Sequence, residues 1–240
     1  MAAGRHRRSR LTILVAAALV AVPALRTGAA ESVCYGTASN GRLEGGVRIP
    51  RSGPNFAAYS SVGVALGRTY VHSKVETVIA AAYAALAASH PGKTFVYGES
   101  GWARGGRIRT HRTHQNGLAV DFMVPVLDAG GRSVPLPTGP FNKFGYGIEF
   151  DAAARYGDLA IDFEAIAEHL HALHEAAAQN GIGISRVIFE RGFIPKLYAA
   201  KGGGFVKQAI PFMQEEPWIR HDEHYHVDFA VPCRRMTESE

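Results

Sequence analysis

The sequence predicts an α+β fold in which a small central antiparallel β-sheet is flanked by helices and long loops. Two segments repeat apolar residues at the three- and four-residue spacing of an amphipathic helix. Several short runs rich in β-branched and aromatic residues lie outside these segments, bounded by glycine or proline. This mixture of helices and short strands is typical of the α+β class.

The first half of the chain contains one predicted helix and two predicted strands. Residues Cys34–Gly67 are rich in glycine, serine, asparagine and proline without a sustained period, which predicts an irregular N-terminal segment. Residues Lys74–Ser89 have a helical apolar face that a Pro-Gly pair closes. Thr94–Gly98 is a short β-forming run, and the apolar run Leu118–Val126 predicts a buried strand that carries Asp121.

The second half continues the same mixture of elements. A second amphipathic helix is predicted over Asp162–Asn180, because apolar residues recur on one face and an Asn-Gly pair ends the pattern. The segments rich in glycine, Asp128–Lys143 and Gly202–Gly204, are predicted to be loops or flexible turns. Strands are predicted at Tyr146–Phe150, Ile184–Phe189 and His224–Val231.

The N-terminal residues are typical of an export signal. Four arginines precede an apolar run from Leu11 to Leu25, and small residues follow up to Ala30. A basic region, a short apolar core and a small-residue end describe a secretory signal peptide, so we expect residues 1–30 to be removed and the protein to be periplasmic. A membrane anchor is the alternative, but the apolar run is shorter than the ~20 residues that a spanning helix needs. Residues 31–240 are then expected to form one domain.

Removal of this leader changes the charge balance. The full chain has 26 Lys and Arg against 21 Asp and Glu, a net charge of +5. Five arginines and no acidic residue lie in residues 1–30, so residues 31–240 carry 21 of each and are formally neutral. The basic character belongs to the leader and gives no support to nucleic-acid binding. We expect no nucleic-acid partner, and no membrane attachment once the leader is cleaved.

The two cysteines, Cys34 and Cys233, lie close to the two ends of the expected mature chain. In an exported protein an even pair predicts a disulfide, which here would tie the N-terminal segment to the C-terminal strand. A metal site is the alternative, but Cys34 lies far in sequence from both histidine-rich segments.

Two short segments hold five of the eleven histidines. The first has His111 and His114 followed by Asp121, and the second has the three histidines His221, His224 and His226. Neutral imidazole and carboxylate together suit a zinc ion, and three protein ligands with one open position describe a catalytic zinc site. We therefore expect the two segments, about a hundred residues apart, to meet around one metal.

Local geometry supports this meeting. On a strand, His224 and His226 project from the same face because they are two residues apart. His114 and Asp121 are seven residues apart, which is neither a helical turn nor a strand pair. A turn at Gly117, a residue that tolerates positive φ, must bring them together.

The combined pattern resembles a known peptidase group. The pattern consists of residues 104–121, Pro217-Trp218, His221-x2-His224-x-His226 and Cys233. It is similar to the pattern of the LAS peptidases, a group named for lysostaphin, D-Ala-D-Ala carboxypeptidases and Sonic hedgehog. Within that group the chain looks most like the penicillin-insensitive murein endopeptidases. The resemblance implies a hedgehog/DD-peptidase-like fold and zinc-dependent hydrolysis of amide bonds in peptidoglycan cross-links, with peptidoglycan peptides as the partner.

Carried over residue by residue, the resemblance implies roles for both segments. The zinc ligands would be His114, Asp121 and His226. His111, His221 and His224 would line the site as catalytic groups without binding the metal. Of these, His224 would lie nearest the chemistry, as a base or as a stabiliser of the developing oxyanion.

Glu223 is the alternative base. It lies three residues before His226, a spacing that resembles the Glu-x-x-His of the D,D-dipeptidase and carboxypeptidase branch. Strand alternation points Glu223 away from the metal unless the strand begins or bulges there, so we favour His224.

Arg107 is the candidate substrate-binding residue, because it matches the family stretch and peptidoglycan stems carry carboxylates that a guanidinium can bind. Glu99 and Ser100 are candidates for supporting contacts.

Two alternatives to the endopeptidase remain open from the sequence. One is a D,D-carboxypeptidase or dipeptidase that uses Glu223, and the other is a non-catalytic zinc module that binds cell-wall peptides or a protein.

Overall fold

The computed structural model describes residues 30–109 and 111–236. The signal peptide expected over residues 1–30 therefore lies outside the described residues, apart from Ala30. Within the described ranges, no helix has the length and apolar character needed to cross a membrane.

The described chain contains short strands, five α-helices and a segment of 3₁₀ turns at Pro140–Gly145. In chain order the strands are β1 (Val33–Thr37), β2 (Asn40–Glu44), β3 (Val47–Arg48), β4 (Phe56–Ala58), β5 (Tyr70–Val71), β6 (Phe95–Tyr97), β7 (Ala119–Met123), β8 (Val126–Leu127), β9 (Ser133–Val134), β10 (Arg155–Tyr156), β11 (Leu159–Ile161), β12 (Gly183–Ile188) and β13 (His224–Ala230). The helices are α1 (Ser61–Ala65), α2 (Ser73–Ser89), α3 (Phe163–Gln179), α4 (Ile194–Ala199) and α5 (Gly203–Ala209).

The central sheet has five strands in the order β12-β13-β7-β6-β4. Its pairs are antiparallel except for β4 with β6, which is parallel. The predicted α+β class is confirmed, and the predicted antiparallel sheet forms its centre. Strands β7 and β13 are buried along nearly their whole length, so both faces of this sheet are covered.

The two long helices cover one face of that sheet. The observed α2 and α3 agree with the predicted ranges to within one residue at each end. The Asp162 side chain accepts a hydrogen bond from the Ala165 amide at the start of α3, a contact that stabilises a helix by about 1 kcal/mol. His169 of α3 contacts Phe122 and Tyr225 of the sheet. Successive side chains on a strand point to opposite faces, so the neighbours of Phe122 and Tyr225 face away from α3.

Four loop and strand predictions are wrong in part. Residues Cys34–Gly67 contain four strands and α1, because β1 and β2 form a hairpin and the short β3 and β4 pair with strands later in the chain. Tyr146–Phe150 is not a strand, since it leaves the 3₁₀ turns and continues as loop. The predicted strand Leu118–Val126 ends at Met123, and the predicted loop Asp128–Lys143 contains β9 and part of the 3₁₀ turns.

The triple glycine, predicted to be a flexible turn or loop, is a turn only at Gly202, since Gly203 and Gly204 belong to α5. Gly202 has φ 81° and turns the chain from α4 into α5, which begins at Gly203. A Cβ at Gly203 would lie 2.2 Å from the carbonyl oxygen of Leu197. Glycine is therefore required here by the close approach of two helices.

The predicted disulfide between Cys34 and Cys233 is confirmed. The two Cα atoms lie 4.8 Å apart, across 199 residues of sequence. The Arg234 amide donates to the Cys34 carbonyl (2.9 Å), and the Gly36 amide donates to the Arg234 carbonyl (2.8 Å). The bond therefore ties β1 to the residues that follow β13.

Candidate metal and catalytic site

Asp121 and His226 face each other across two neighbouring strands. In the antiparallel pairing of β7 with β13, His226 lies directly opposite Asp121. Asp121 Oδ1 is 2.9 Å from His226 Nδ1, although 105 residues separate them in sequence. Both side chains are buried on the face of the sheet opposite α3. The strand register thus brings the two histidine-containing segments together.

His114 completes a set of three donor groups around this point. Its Nε2 lies 3.3 Å from Asp121 Oδ1, and its ring stands edge-on to that of His226, with 4.8 Å between the centroids. Its Nδ1 faces the carbonyl oxygens of Ser100 (3.1 Å) and Ala119 (3.3 Å). Because both of these oxygens are hydrogen-bond acceptors, the proton of the neutral imidazole lies on Nδ1. The lone pair of Nε2 is then directed at Asp121.

The turn after His114 has an unusual backbone. His114 itself has φ 71°, and Gly117 has φ 77°. A Cβ at Gly117 would lie 2.9 Å from the His72 amide nitrogen, so this position requires glycine for space as well as for conformation. The left-handed backbone at His114 costs of order 1–3 kcal/mol. The fold maintains that strain where the chain turns the imidazole toward Asp121.

His226 is oriented by a second carboxylate. Its Nε2 lies 3.0 Å from Asp228 Oδ1, and the other Asp228 oxygen accepts from Nε and Nη2 of Arg186 (2.9 and 2.6 Å). Metal-binding histidines usually donate their other ring N–H to a carboxylate or carbonyl, which fixes the tautomer and the ring orientation. Asp228 gives His226 this arrangement, as the carbonyls of Ser100 and Ala119 do for His114.

The electrostatics suit a cation. Burial would raise the pKa of Asp121, but the nearby imidazoles of His114 and His224 hold that pKa well below its usual range. Burial would lower the pKa of His226, yet the carboxylates of Asp228 and Asp121 raise it to about 9. The carboxylates thus favour positive charge at this point, whether it is carried by a proton or by a metal ion.

His111 offers an alternative ligand set. Among the described residues, one ligand atom each of His111, His114 and Asp121 lies within 4.8 Å of the other two, an arrangement that could hold a metal ion. However, His111 Nε2 is 2.9 Å from Glu99 Oε2. Arg68 lies 2.9 Å from the same oxygen. His111 is therefore held by a carboxylate on its Nε2 side, next to the set formed by Asp121 and the other two histidines.

His224 and Glu223 form a contact pair at the start of β13. His224 Nε2 lies 3.8 Å from Asp121 Oδ1, and its Nδ1 lies 2.9 Å from Glu223 Oε1. The strand begins at His224, so Glu223 precedes it and strand alternation does not determine where its side chain points. Burial would lower the pKa of His224, but Asp121 and Glu223 raise it.

His221 lies behind this pair. Its ring centroid is 4.8 Å from that of His224, and its Nδ1 is 2.8 Å from the Ile219 carbonyl oxygen. Burial, with the neighbouring His224, lowers the pKa of His221 to about 3. It is a neutral group at physiological pH, and its ring is tilted by 45° relative to that of His224.

Two further residues of the site, Tyr146 and Asp228, are not predicted from the sequence. The Tyr146 hydroxyl lies 2.9 Å from Asp121 Oδ2 and accepts a hydrogen bond from the Glu99 amide at 2.8 Å. No spacing rule points to a tyrosine 25 residues after Asp121. Asp228 could have been noticed as the next same-face residue after His226 on the predicted strand.

Arg107 lines a cavity beside the site. This cavity of about 460 Å³ is lined by Ser39, Asn40, Arg107, His111, Arg112 and Gln115. His111 is thus shared between the cavity and the histidine cluster. The Arg107 carbonyl accepts a hydrogen bond from the Trp102 indole (3.2 Å), which fixes the loop that presents its side chain.

Comparison with known families agrees with the resemblance noted in the sequence. Residues 34–136 match the model of a family described as penicillin-insensitive murein endopeptidase. The matched range contains His111, His114 and Asp121, and it ends before the second histidine segment. No curated protein matches the chain. The resemblance is confirmed for the matched segment, and the family description indicates a peptidase that acts on murein.

Proposed function

We propose that this chain, whose residues 34–136 match the penicillin-insensitive murein endopeptidase family, is an exported zinc metallopeptidase that hydrolyses amide bonds in peptidoglycan cross-links. The observation that carries the proposal is the convergence of His114 Nε2 and His226 Nδ1 on Asp121 Oδ1, at 3.3 and 2.9 Å. Residues 31–240 would form the metallopeptidase domain. Export to the periplasm would follow cleavage of residues 1–30.

The donor set fits zinc. Zinc bonds of 2.0–2.2 Å to nitrogen and oxygen in a tetrahedral site separate the ligand atoms by about 3.4 Å. His114 Nε2 lies close to that value from Asp121 Oδ1, at 3.3 Å, and His226 Nδ1 lies nearer, at 2.9 Å. Each imidazole already gives its other nitrogen to a fixed acceptor, so His114 and His226 present one lone pair each. When bound, zinc would supply Lewis acidity, polarising the scissile carbonyl and lowering the pKa of water.

His224 is the proposed base, with Glu223 as its partner. Glu223 lies on the Nδ1 side of His224, so Nε2 is left toward Asp121. The oxygen of water would bond to the scissile carbonyl carbon while His224 Nε2 takes its proton. The same nitrogen would then return the proton to the leaving amine as the carbon–nitrogen bond breaks. Glu223 would stabilise the imidazolium between these steps.

The buried His224–Glu223 pair also weighs against an inert zinc site. A structural site needs only its metal ligands and their supporting contacts. Here two further titratable groups are buried beside the proposed ligands, at the cost of removing them from water. A base next to a metal is the arrangement that metal-assisted hydrolysis of an amide uses.

Substrate binding is assigned to the cavity that Arg107 and His111 share. Peptidoglycan stems carry free carboxylates, which a guanidinium binds by charge-assisted hydrogen bonds. We infer that Arg107 holds one of these carboxylates, while His111, fixed by Glu99, forms the side of the groove.

A cleavage assay tests this function. Purified residues 31–240, loaded with zinc, would be incubated with cross-linked muropeptides and the products followed by mass spectrometry. We expect the cross-linked species to disappear and two uncross-linked products to appear, each accounted for by the addition of water to one amide bond. His171→Ala, an exposed change on α3, is the matched control and should cleave at the wild-type rate. Binding of muropeptides without cleavage by the zinc-loaded protein would favour the non-catalytic module instead.

A further inference from the structure

Tyr146 contacts the one carboxylate oxygen of Asp121 that the imidazoles do not use. Asp121 Oδ1 faces His226 and His114 at 2.9 and 3.3 Å. Asp121 Oδ2 instead receives the Tyr146 hydroxyl at 2.9 Å. The two oxygens of one carboxylate are thus divided between different partners.

The direction of this hydrogen bond follows from its neighbour. The Glu99 amide donates to the Tyr146 hydroxyl oxygen at 2.8 Å. A phenol has a single hydrogen, and its oxygen is already accepting from Glu99. The hydrogen is therefore free to be donated to Asp121 Oδ2.

The segment before Tyr146 is built to hold this geometry. Within Pro140–Gly145, the non-glycine residues Lys143 and Phe144 have φ of 52° and 59°. Side chains rarely adopt this left-handed region unless surrounding contacts enforce it. Asn142 supplies such contacts, because its Oδ1 accepts from two backbone amides of the turn at 2.9 and 3.0 Å. The turn delivers the Tyr146 ring between His111 and His224, whose centroids lie 5.8 and 5.2 Å away.

We propose that Tyr146 is a positioning residue that restricts Asp121 to a single metal-binding oxygen, Oδ1. The inference rests on the proposed zinc site. With Oδ2 occupied by the phenol, the carboxylate cannot turn to present both oxygens to the metal. Loss of the phenol hydroxyl would free Oδ2, so that Asp121 could bind in a bidentate manner or rotate away from the imidazoles.

Tyr146→Phe tests the inference, with Tyr59→Phe as the matched control. Tyr59 is also a buried tyrosine, and its hydroxyl donates to Glu99 Oε1 at 3.0 Å without reaching Asp121. Zinc affinity would be measured by competition with a chromophoric chelator, and the coordination by the visible spectrum of the cobalt(II)-substituted protein. Unfolding of each metal-free protein would check that the fold is intact.

We expect Tyr146→Phe to bind zinc 10- to 100-fold more weakly than wild type, the effect typical of removing a group that orients a metal ligand. Its cobalt bands should weaken, because a second carboxylate oxygen raises the coordination number. Tyr59→Phe should match wild type in both measurements. A Tyr146→Phe protein with wild-type affinity and an unchanged cobalt spectrum would overturn the inference and leave the zinc site intact. Failure of the wild-type protein to bind zinc would instead overturn the proposed function.

Discussion

Glu223 Oε1 lies 2.9 Å from His224 Nδ1, and both side chains are buried at the start of β13. The sequence presents these two residues as rivals for the role of base. Their contact joins them into one unit, in which the carboxylate holds one side of the imidazole and leaves the other side directed at Asp121. The same division of roles occurs wherever a carboxylate orients a catalytic histidine.

A double-mutant cycle tests this pair. His224→Ala should lower kcat by about 10²–10⁴ with zinc content unchanged, because it removes the proposed proton acceptor. Glu223→Gln should lower kcat by a smaller factor, since the amide can still accept from Nδ1 but carries no charge. The double variant should be no worse than His224→Ala alone, as expected for residues that act as a unit. Glu223 would have an independent role as base if the double variant lost kcat by the product of the two single factors. The same would follow if Glu223→Gln lowered kcat more than His224→Ala does.

Paired alanine variants distinguish the two ligand sets. His226→Ala and His111→Ala each remove one imidazole next to Asp121, but only His226 belongs to the proposed set. We expect His226→Ala to lose stoichiometric zinc after dialysis, as measured by atomic emission, and His111→Ala to retain it. The reverse pattern would assign the metal to His111, His114 and Asp121.

Much of this site could be anticipated from the sequence, because the two histidine segments are short motifs with fixed spacing. The turn at Gly117 and the same-face pair on β13 follow from backbone geometry alone. The role of Tyr146 could not be anticipated, because its contact with Asp121 depends on the left-handed backbone of Lys143 and Phe144. The sequence of this segment does not predict that conformation. The direction of the Glu223 side chain could not be predicted, because alternation holds only within a strand and this strand begins one residue later.

The fold shows the same pattern of success and failure. The long helices α2 and α3 were predicted closely because each has a sustained apolar face and a clear end. The hairpin of β1 and β2 could not be predicted, because its two strands are short and their mixture of polar, apolar and glycine residues leaves no sustained apolar period in the sequence. Gly203 was interpreted as flexible because nothing in the sequence shows that a helix carbonyl lies beside it.

Substitution of Arg107 tests the substrate assignment. Arg107→Ala should raise the KM for cross-linked muropeptides by about 10- to 100-fold, because a hydrogen bond to a charged group contributes about 1.5–3 kcal/mol. Its kcat should change little if the contact is equally strong in the ground and transition states. Arg109→Ala, an exposed change outside the cavity lining, is the control. Equal KM values for the two variants would contradict the assignment.

Removal of the disulfide should destabilise the protein without abolishing the site. Cys34→Ser with Cys233→Ser should lower the free energy of unfolding by about 2–5 kcal/mol, since the unfolded chain regains the freedom that the cross-link removes. Urea unfolding of the zinc-loaded proteins measures this change. Unchanged stability would show that the backbone hydrogen bonds between β1 and the residues after β13 suffice.

His169 predicts a pH dependence of stability. Burial lowers its pKa to about 3 in the folded protein, whereas an unfolded histidine has a pKa of about 6.5. The folded state therefore disfavours protonation of His169. The contribution that the neutral imidazole makes to stability is complete above about pH 6.5 and is lost as the pH falls toward 3. Between pH 7 and pH 5 the loss should be about 2 kcal/mol.

The comparison that isolates this residue is His169→Gln against wild type. The free energy of unfolding of wild type should fall by the larger amount between the two pH values, and the difference is the contribution of His169. His171→Gln, at an exposed position on the same helix, should follow wild type. If the free energy of unfolding fell equally for wild type and His169→Gln between pH 7 and pH 5, the buried imidazole would not govern the acid sensitivity.

The proposed function requires two segments about a hundred residues apart to bind one zinc ion. Anomalous diffraction at the zinc absorption edge, on crystals of the zinc-loaded protein, tests it most directly. We predict a single peak within about 2.0–2.2 Å of His114 Nε2, Asp121 Oδ1 and His226 Nδ1. A peak bound by His111 in place of His226, or the absence of a peak at Asp121, would rule out this set of ligands.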